Sequence, residues 1–185
     1  MFARTERLLL RPGWIEDAPA LHAAIAERAV VRNLASVPWP YRPADAKRWL
    51  SRDGDNLLIF RRTGDATELV GAIGLDPEKG DGVHLGYWIA RPYWGRGYAT
   101  EAGRAVVALA RHSLRLERLA SAHFLDNPAS GRVLRKLGFR PTGEVRMLAS
   151  RARRREVASA VYRLDLTEAA GFDCDPEGEA REMAA

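Results

Sequence analysis

Cysteine is almost missing from this chain. Its 185 residues hold one, Cys174, which excludes an internal disulfide and any cysteine-based zinc site and fits a reducing cytoplasm. Long apolar runs are missing too: the longest covers residues 105–110, against the roughly 20 residues that span a bilayer. The opening Met-Phe-Ala-Arg-Thr-Glu-Arg places charge where a secretory leader would be apolar, so neither secretion nor membrane insertion is expected. The four histidines are scattered without metal-ligand spacing, and no metal centre is expected. Lysine is scarce, and arginine supplies nearly all of the 29 bases. That is as much a compositional bias as the footprint of a polyanionic partner.

What is there is a globular balance, with 46% hydrophobic and 29% charged residues. A domain of this length hides roughly 70% of its unfolded surface and builds a core without staples. The net charge of +5 is unevenly spread. Residues 167–185 hold six acids and one arginine, or −5, so residues 1–166 hold 28 bases against 18 acids, or +10. A single domain over 1–166 is expected, followed by an acidic, mobile tail over 167–185. The basic body suits a polyphosphate cofactor, nucleic acid or an acidic protein.

Strands are expected over 6–11, 56–62, 68–76, 83–89, 118–124, 140–145 and 157–165, with turn chemistry such as Thr63-Gly64-Asp65 between them. Helices are expected from Asp17 to Arg28, after Pro43, over 100–113, and from Asn127-Pro128. In the last, Asn is a favoured N-cap, Pro suits the first helical position, and Gly138 suits the C-terminal cap. The early strands read as an antiparallel meander and the later helices as crossovers. The sum is an α+β fold, a mostly antiparallel twisted sheet of about seven strands covered by helices.

One junction carries chemistry. In Trp88-Ile89-Ala90-Arg91-Pro92-Tyr93-Trp94-Gly95-Arg96-Gly97-Tyr98-Ala99-Thr100-Glu101, a strand ends, a glycine-rich loop turns and a helix begins. Glycines admit a ligand close to the backbone, and a helix start presents unpaired N–H groups at the positive end of its dipole. The pattern suits an anion. It lacks the Gly-Lys-Ser/Thr of a nucleotide-triphosphate loop and the third glycine of a dinucleotide fingerprint.

These residues resemble the GNAT superfamily of acetyl-CoA-dependent N-acetyltransferases, within it the ribosomal-protein N-terminal (Rim-type) branch. Trp94-Gly95-Arg96-Gly97-Tyr98-Ala99-Thr100-Glu101-Ala102 is similar to the family's cofactor loop as that branch writes it. A second stretch, Asn127-Pro128-Ala129-Ser130-Gly131-Arg132-Val133-Leu134-Arg135-Lys136-Leu137-Gly138-Phe139, resembles the branch's second signature. The likeness runs over about residues 5–166. It implies a GNAT-like sheet with helices on both faces and acetyl-CoA as cosubstrate. Backbone N–H groups of Gly95, Arg96, Gly97, Tyr98, Ala99 and Thr100 would hold the pyrophosphate. The strand end at Trp88 and Ile89 would splay from its neighbour, pair with the pantetheine arm and polarise the thioester carbonyl. Asn127 would bond the pantetheine, and Arg132 would reach the phosphates.

Two departures from the family leave the acid and base open. The tyrosine that many members place seven residues after the motif asparagine is replaced by Leu134. Ser130, shared with the Rim-like branch, would then protonate the departing sulfur, directly or through water. Where the branch often reads Glu-x-Gly-Tyr, this chain has His84-Leu85-Gly86-Tyr87. An imidazole suits a general base, and Glu144 is a weaker candidate. Trp39 and Tyr41 would shape the acceptor site. The acceptor is a primary amine, on a small molecule or a protein N-terminus such as that of a ribosomal protein, and a homodimer is compatible. Two other readings stay open. One is a catalytically weak, coenzyme A-binding regulatory module. The other is an RNA- or ribosome-associated protein, suggested by Arg146, Arg151, Arg153, Arg154 and Arg155.

Overall fold

A computed structural model describes residues 2–51, 55–63, 66–78 and 82–167. Its strands are β1 (Ala3–Arg4), β2 (Leu8–Pro12), β3 (Asp55–Thr63), β4 (Ala66–Glu78), β5 (Gly82–Ile89), β6 (Arg118–Phe124), β7 (Arg140–Ser150) and β8 (Arg155–Asp165). The helices are α1 (Ala18–Ile25), α2 (Arg28–Val31), α3 (Pro43–Leu50), α4 (Tyr98–His112) and α5 (Pro128–Lys136). The strands form one sheet in the order β1-β2-β3-β4-β5-β6-β8-β7. Neighbours are antiparallel except β5 and β6.

Both faces of the sheet are covered, which explains the unbroken Leu57-Leu58-Ile59-Phe60 on β3. Successive strand residues point to opposite faces. Leu57 and Ile59 join Leu8, Leu10, Val70, Ile73, Leu85, Val106 and Leu134 in a core beneath α4 and α5. Leu58 and Phe60 join Leu21, Ile25, Val31 and Ala46 in a second core beneath α1, α2 and α3. A strand buried on both sides reads as a continuous apolar run rather than an alternation.

The expected α+β sheet with helices on both faces is present, with four local corrections. The sheet has eight strands rather than about seven, because the two residues of β1 carry no pattern that sequence reading detects. The first helix stops at Ile25, since Glu27 turns extended (φ −114°, ψ 131°) and its carbonyl caps α2 by accepting from the amides of Val30 and Val31. Helix α4 starts two residues early, at Tyr98. The last hairpin pairs through to Ser150 and Arg155, well beyond residue 145. Among the described residues no helix is long and apolar enough to cross a membrane. Residues 168–185, and with them nearly all of the expected acidic tail and Cys174, lie outside the described residues.

Candidate active site

The site begins where the sheet comes apart. Parallel strands β5 and β6 pair only at Val83 with Leu119 and His84 with Ala120. The Ser121 hydroxyl then donates to the Leu85 carbonyl at 2.8 Å, and beyond it no further pairing is formed. β5 stays bonded to β4 up to the Ala90 amide, which donates to the Val70 carbonyl at 2.8 Å. Backbone groups alternate sides along an antiparallel strand, so those of Tyr87 and Ile89 point into the gap. The Ile89 carbonyl accepts from the Trp94 indole N–H at 2.7 Å, tying the strand end to the loop that follows. Of the expected pair, Ile89 offers its amide to the cleft. Trp88 turns its backbone to β4 and packs its ring on the core beneath α1 and α3.

The glycine loop lies at the open end. Gly95 and Gly97 both take positive φ, 75° and 82°, and Gly97 is the N-cap of α4. The Glu101 amide makes the first helical bond, to the Gly97 carbonyl, so the amides of Tyr98, Ala99 and Thr100 are left without a partner inside the helix. Those three residues and the exposed Gly95, Arg96 and Gly97 present a run of backbone amides at this turn.

A clamp that sequence reading missed fixes this set. Glu101 accepts from the Thr5 hydroxyl at 2.6 Å, the Arg7 amide at 2.9 Å and the Arg7 side chain at 2.7 Å. The same guanidinium donates to the Arg96 carbonyl at 3.1 Å and lies 4.8 Å from the Tyr98 ring centre. Burial alone would raise the Glu101 carboxyl, but the bonds from Thr5 and Arg7 together hold it below its ordinary value. Stabilisation from a lowered carboxyl is present above the unfolded value, about 4.3, and is lost as pH falls through the folded one. Glu101→Gln is therefore expected to cost about 2 kcal/mol at neutral pH, a fall in Tm of roughly 4–8 °C. Melting curves taken down to pH 3 should show the gap from the wild type closing below about pH 4.

Ser130 and His84 are both near β5 but on opposite faces. The Ser130 Oγ lies 2.7 Å from the Tyr87 hydroxyl, which also reaches the Ser130 carbonyl at 3.2 Å. Burial pushes the Tyr87 phenol up to about 12, with the Ser130 bond opposing, so it stays protonated at neutral pH. His84, Gly86 and Trp88 alternate onto the other face. Gly86 is exposed, and a Cβ built there would meet nothing within 4 Å, so the sheet face is uncovered at that position. His84 itself lies at the closed end, between Asp76 and Ala120, roughly 10 Å along the strand from Tyr87.

Asn127 occupies the expected N-cap position of α5, although its side chain makes no capping bond there. The first-turn bond runs instead from the Ser130 amide to the Asn127 carbonyl at 3.1 Å, and the carboxamide is left to other partners. Arg132 is exposed on the next turn. Tyr41, expected to shape the acceptor site, is instead buried at 7% exposure and stacked on His22. Trp39 packs on the same core. The arginine run is largely engaged within the fold. Arg146 bonds Glu144, Arg151 reaches the Ser36 carbonyl, and Arg153 grips Asp126. Glu144 is thus engaged with Arg146 on an outer strand.

A sheet that opens between two parallel strands, beside a glycine-led helix start, agrees with the acetyltransferase frame that the sequence resemblance implies. Residues 7–140 match the family model described as the acetyltransferase (GNAT) domain, and the chain belongs to that family of N-acetyltransferases. It is 32% identical over 151 residues to the uncharacterized N-acetyltransferase YoaA of Bacillus subtilis (strain 168), covering 77% of this chain and 84% of that protein. In fold it is similar to a GNAT-family acetyltransferase from Bacillus anthracis, with a TM-score of 0.78, 23% identity, and coverage of 91% and 100% of the two chains. A likeness also extends to RimL, the ribosomal L7/L12 α-N-protein acetyltransferase solved with coenzyme A. There the TM-score is 0.71, with 19% identity and coverage of 89% and 98%.

Proposed function

We propose that the protein moves an acetyl group from acetyl-CoA to a primary amine, namely the α-amine at a peptide or protein N-terminus. The observation that carries this reading is the open gap between β5 and β6, with the Ile89 amide on one wall and the Tyr87–Ser130 hydroxyl pair beside it. The amides from Gly95 to Thr100 hold the pyrophosphate, Asn127 bonds the pantetheine, and Arg132 reaches toward the phosphates. The Ile89 amide polarises the thioester carbonyl and steadies the oxyanion.

The amine nitrogen bonds to the carbonyl carbon, the carbon–sulfur bond breaks, the sulfur takes a proton from Ser130, and the serine recovers a proton from solvent water. An α-amine has a pKa of about 7.7–8.0, so a useful share is already neutral near pH 7. His84, on the face opposite Ser130, is the proposed acceptor of the remaining proton, relayed by water over the exposed Gly86. The protein acceptor draws support from the likeness to RimL.

Acetyl-CoA at a hundredfold excess over its Kd is expected to add about 2.7 kcal/mol of stability, a rise in Tm of roughly 5–11 °C. Release of free thiol should then require a peptide with an open N-terminus. No shift in Tm would remove the cofactor assignment, and thiol release only with small amines would remove the peptide. His84→Ala should lower kcat/KM, with part of the activity restored in His84→Glu.

A further inference from the structure

The mouth of the gap is crossed by a short helix. α2 is tied to the β5 side by Glu27, which pairs with Arg91 at 3.5 Å. Its other end is tied to the β6 side by Arg32, which pairs with Asp126, the residue before Asn127, at 3.0 Å. Val30 and Val31 are buried, so α2 turns Arg28 and Arg32, one turn apart, outward. The tip of the β7–β8 hairpin reaches the same place. The Arg153 guanidinium donates to the Arg32 carbonyl at 2.7 Å and packs over the Phe124 ring at 4.8 Å.

Between the two elements lies an open pocket of about 520 Å³, lined by Arg28, Arg32, Arg153 and Arg155. Two of its arginines already hold a carboxylate of the chain itself. The Asp126 carboxylate takes the Arg153 fork in two parallel bonds of 2.7 and 3.0 Å, with Arg32 as a third donor. The Arg153 bonds, with the nearby guanidinium charges, hold that carboxyl below its ordinary value although burial opposes them. Among the described residues neither Arg28 nor Arg155 has a carboxylate partner. A planar guanidinium matches a carboxylate two bonds at a time. Four of them against one fixed carboxylate leave a surplus of positive charge beside the mouth of the gap.

We infer that this pocket selects acceptors whose N-terminal amine is followed by acidic residues, with Arg28 and Arg155 binding their carboxylates. The inference rests on the N-terminal acetyltransferase reading above and adds the class of sequence it takes. Asp126 supplies the model for the contact, which is why a carboxylate-bearing peptide fits better than a single compact phosphate.

The test uses the full chain and short peptides that share a first residue and carry acidic, neutral or basic residues at positions 2–4. The acidic peptide is expected to give about tenfold higher kcat/KM than the neutral one, mostly through KM. The preference should collapse when ionic strength is raised about tenfold. Arg28→Ala/Arg155→Ala should bring the acidic peptide down to the neutral one. Arg115→Ala/Arg118→Ala, at the closed end of the gap, should keep the preference. Equal rates for acidic and neutral peptides, a preference that survives in the first variant, or selection of a phosphorylated small amine over acidic peptides would overturn the inference. Binding of a fluorescent, N-acetylated acidic peptide is measured alongside. Arginine-dependent binding without turnover would uphold the pocket and sink the catalytic reading. Turnover without acidic preference would do the reverse.

Discussion

Gly97→Val is expected to weaken acetyl-CoA binding at least about a hundredfold while leaving a folded protein. Gly97 sits at φ 82° as the N-cap of α4, a region that bulky β-branched residues avoid. Holding valine there costs of order 1–3 kcal/mol, and the chain relieves it by turning the peptide toward negative φ. That rotation swings the Gly97 and Tyr98 amides out of the set proposed to hold the pyrophosphate. Bulk adds to the strain, because the methyl groups project from the face where the ligand must meet backbone. The nearest atom to a Cβ at this position is Arg7 Nη2 at 3.5 Å, an ordinary contact, so loss of binding would not come from a clash within the protein. Gly97→Ala keeps the strain without the branching and should lose less, roughly tenfold. Calorimetric titration gives the affinities, and a melting curve without ligand separates binding from folding. A folded Gly97→Val protein with wild-type affinity would move the cofactor elsewhere.

The parts of the site legible in the sequence are those written in contiguous residues. Gly95 and Gly97 mark a loop because few other residues accept positive φ, and Asn127-Pro128 marks a helix start by its own chemistry. The sheet was likewise readable from apolar runs punctuated by Gly, Pro and Asp. Contacts between distant segments were not. The Arg7–Glu101 clamp spans 94 positions and follows from β2 lying against α4, which no local pattern states. The opening between β5 and β6 was expected only through the family resemblance and has no local sign, since both strands continue in good strand chemistry beyond Ala120. Tyr87 was visible as one of two alternating aromatics, but only the register with β4 and the position of α5 place its hydroxyl on Ser130. The arginines of the last hairpin read as a charge run. Their roles depend on Asp126 and on carbonyls at Arg32 and Ser36, each more than twenty positions away.

Ser130→Ala is expected to lower kcat by about 10- to 100-fold, with the KM for acetyl-CoA changed by less than about threefold. A group that protonates the leaving sulfur acts only as the carbon–sulfur bond breaks, so its loss falls on kcat. The effect sits at the low end of general-acid catalysis because a thiol of pKa about 8.5 leaves without much help. Tyr87 sharpens the test. Its phenol, pushed up to about 12 mainly by burial, stays protonated; either hydroxyl of the pair can donate to the other, and the proposed acid role uses the arrangement in which Tyr87 donates and the serine proton faces the sulfur. Tyr87→Phe should then reduce kcat by a smaller factor, about three- to tenfold, through the orientation of the serine. Combining it with Ser130→Ala should add little, since both act at one proton transfer. A purely structural tyrosine would add its cost in full and show it in Tm. An effect of Ser130→Ala confined to KM would recast the serine as a binding residue. The proton for the sulfur would then have to come from water entering between β5 and β6.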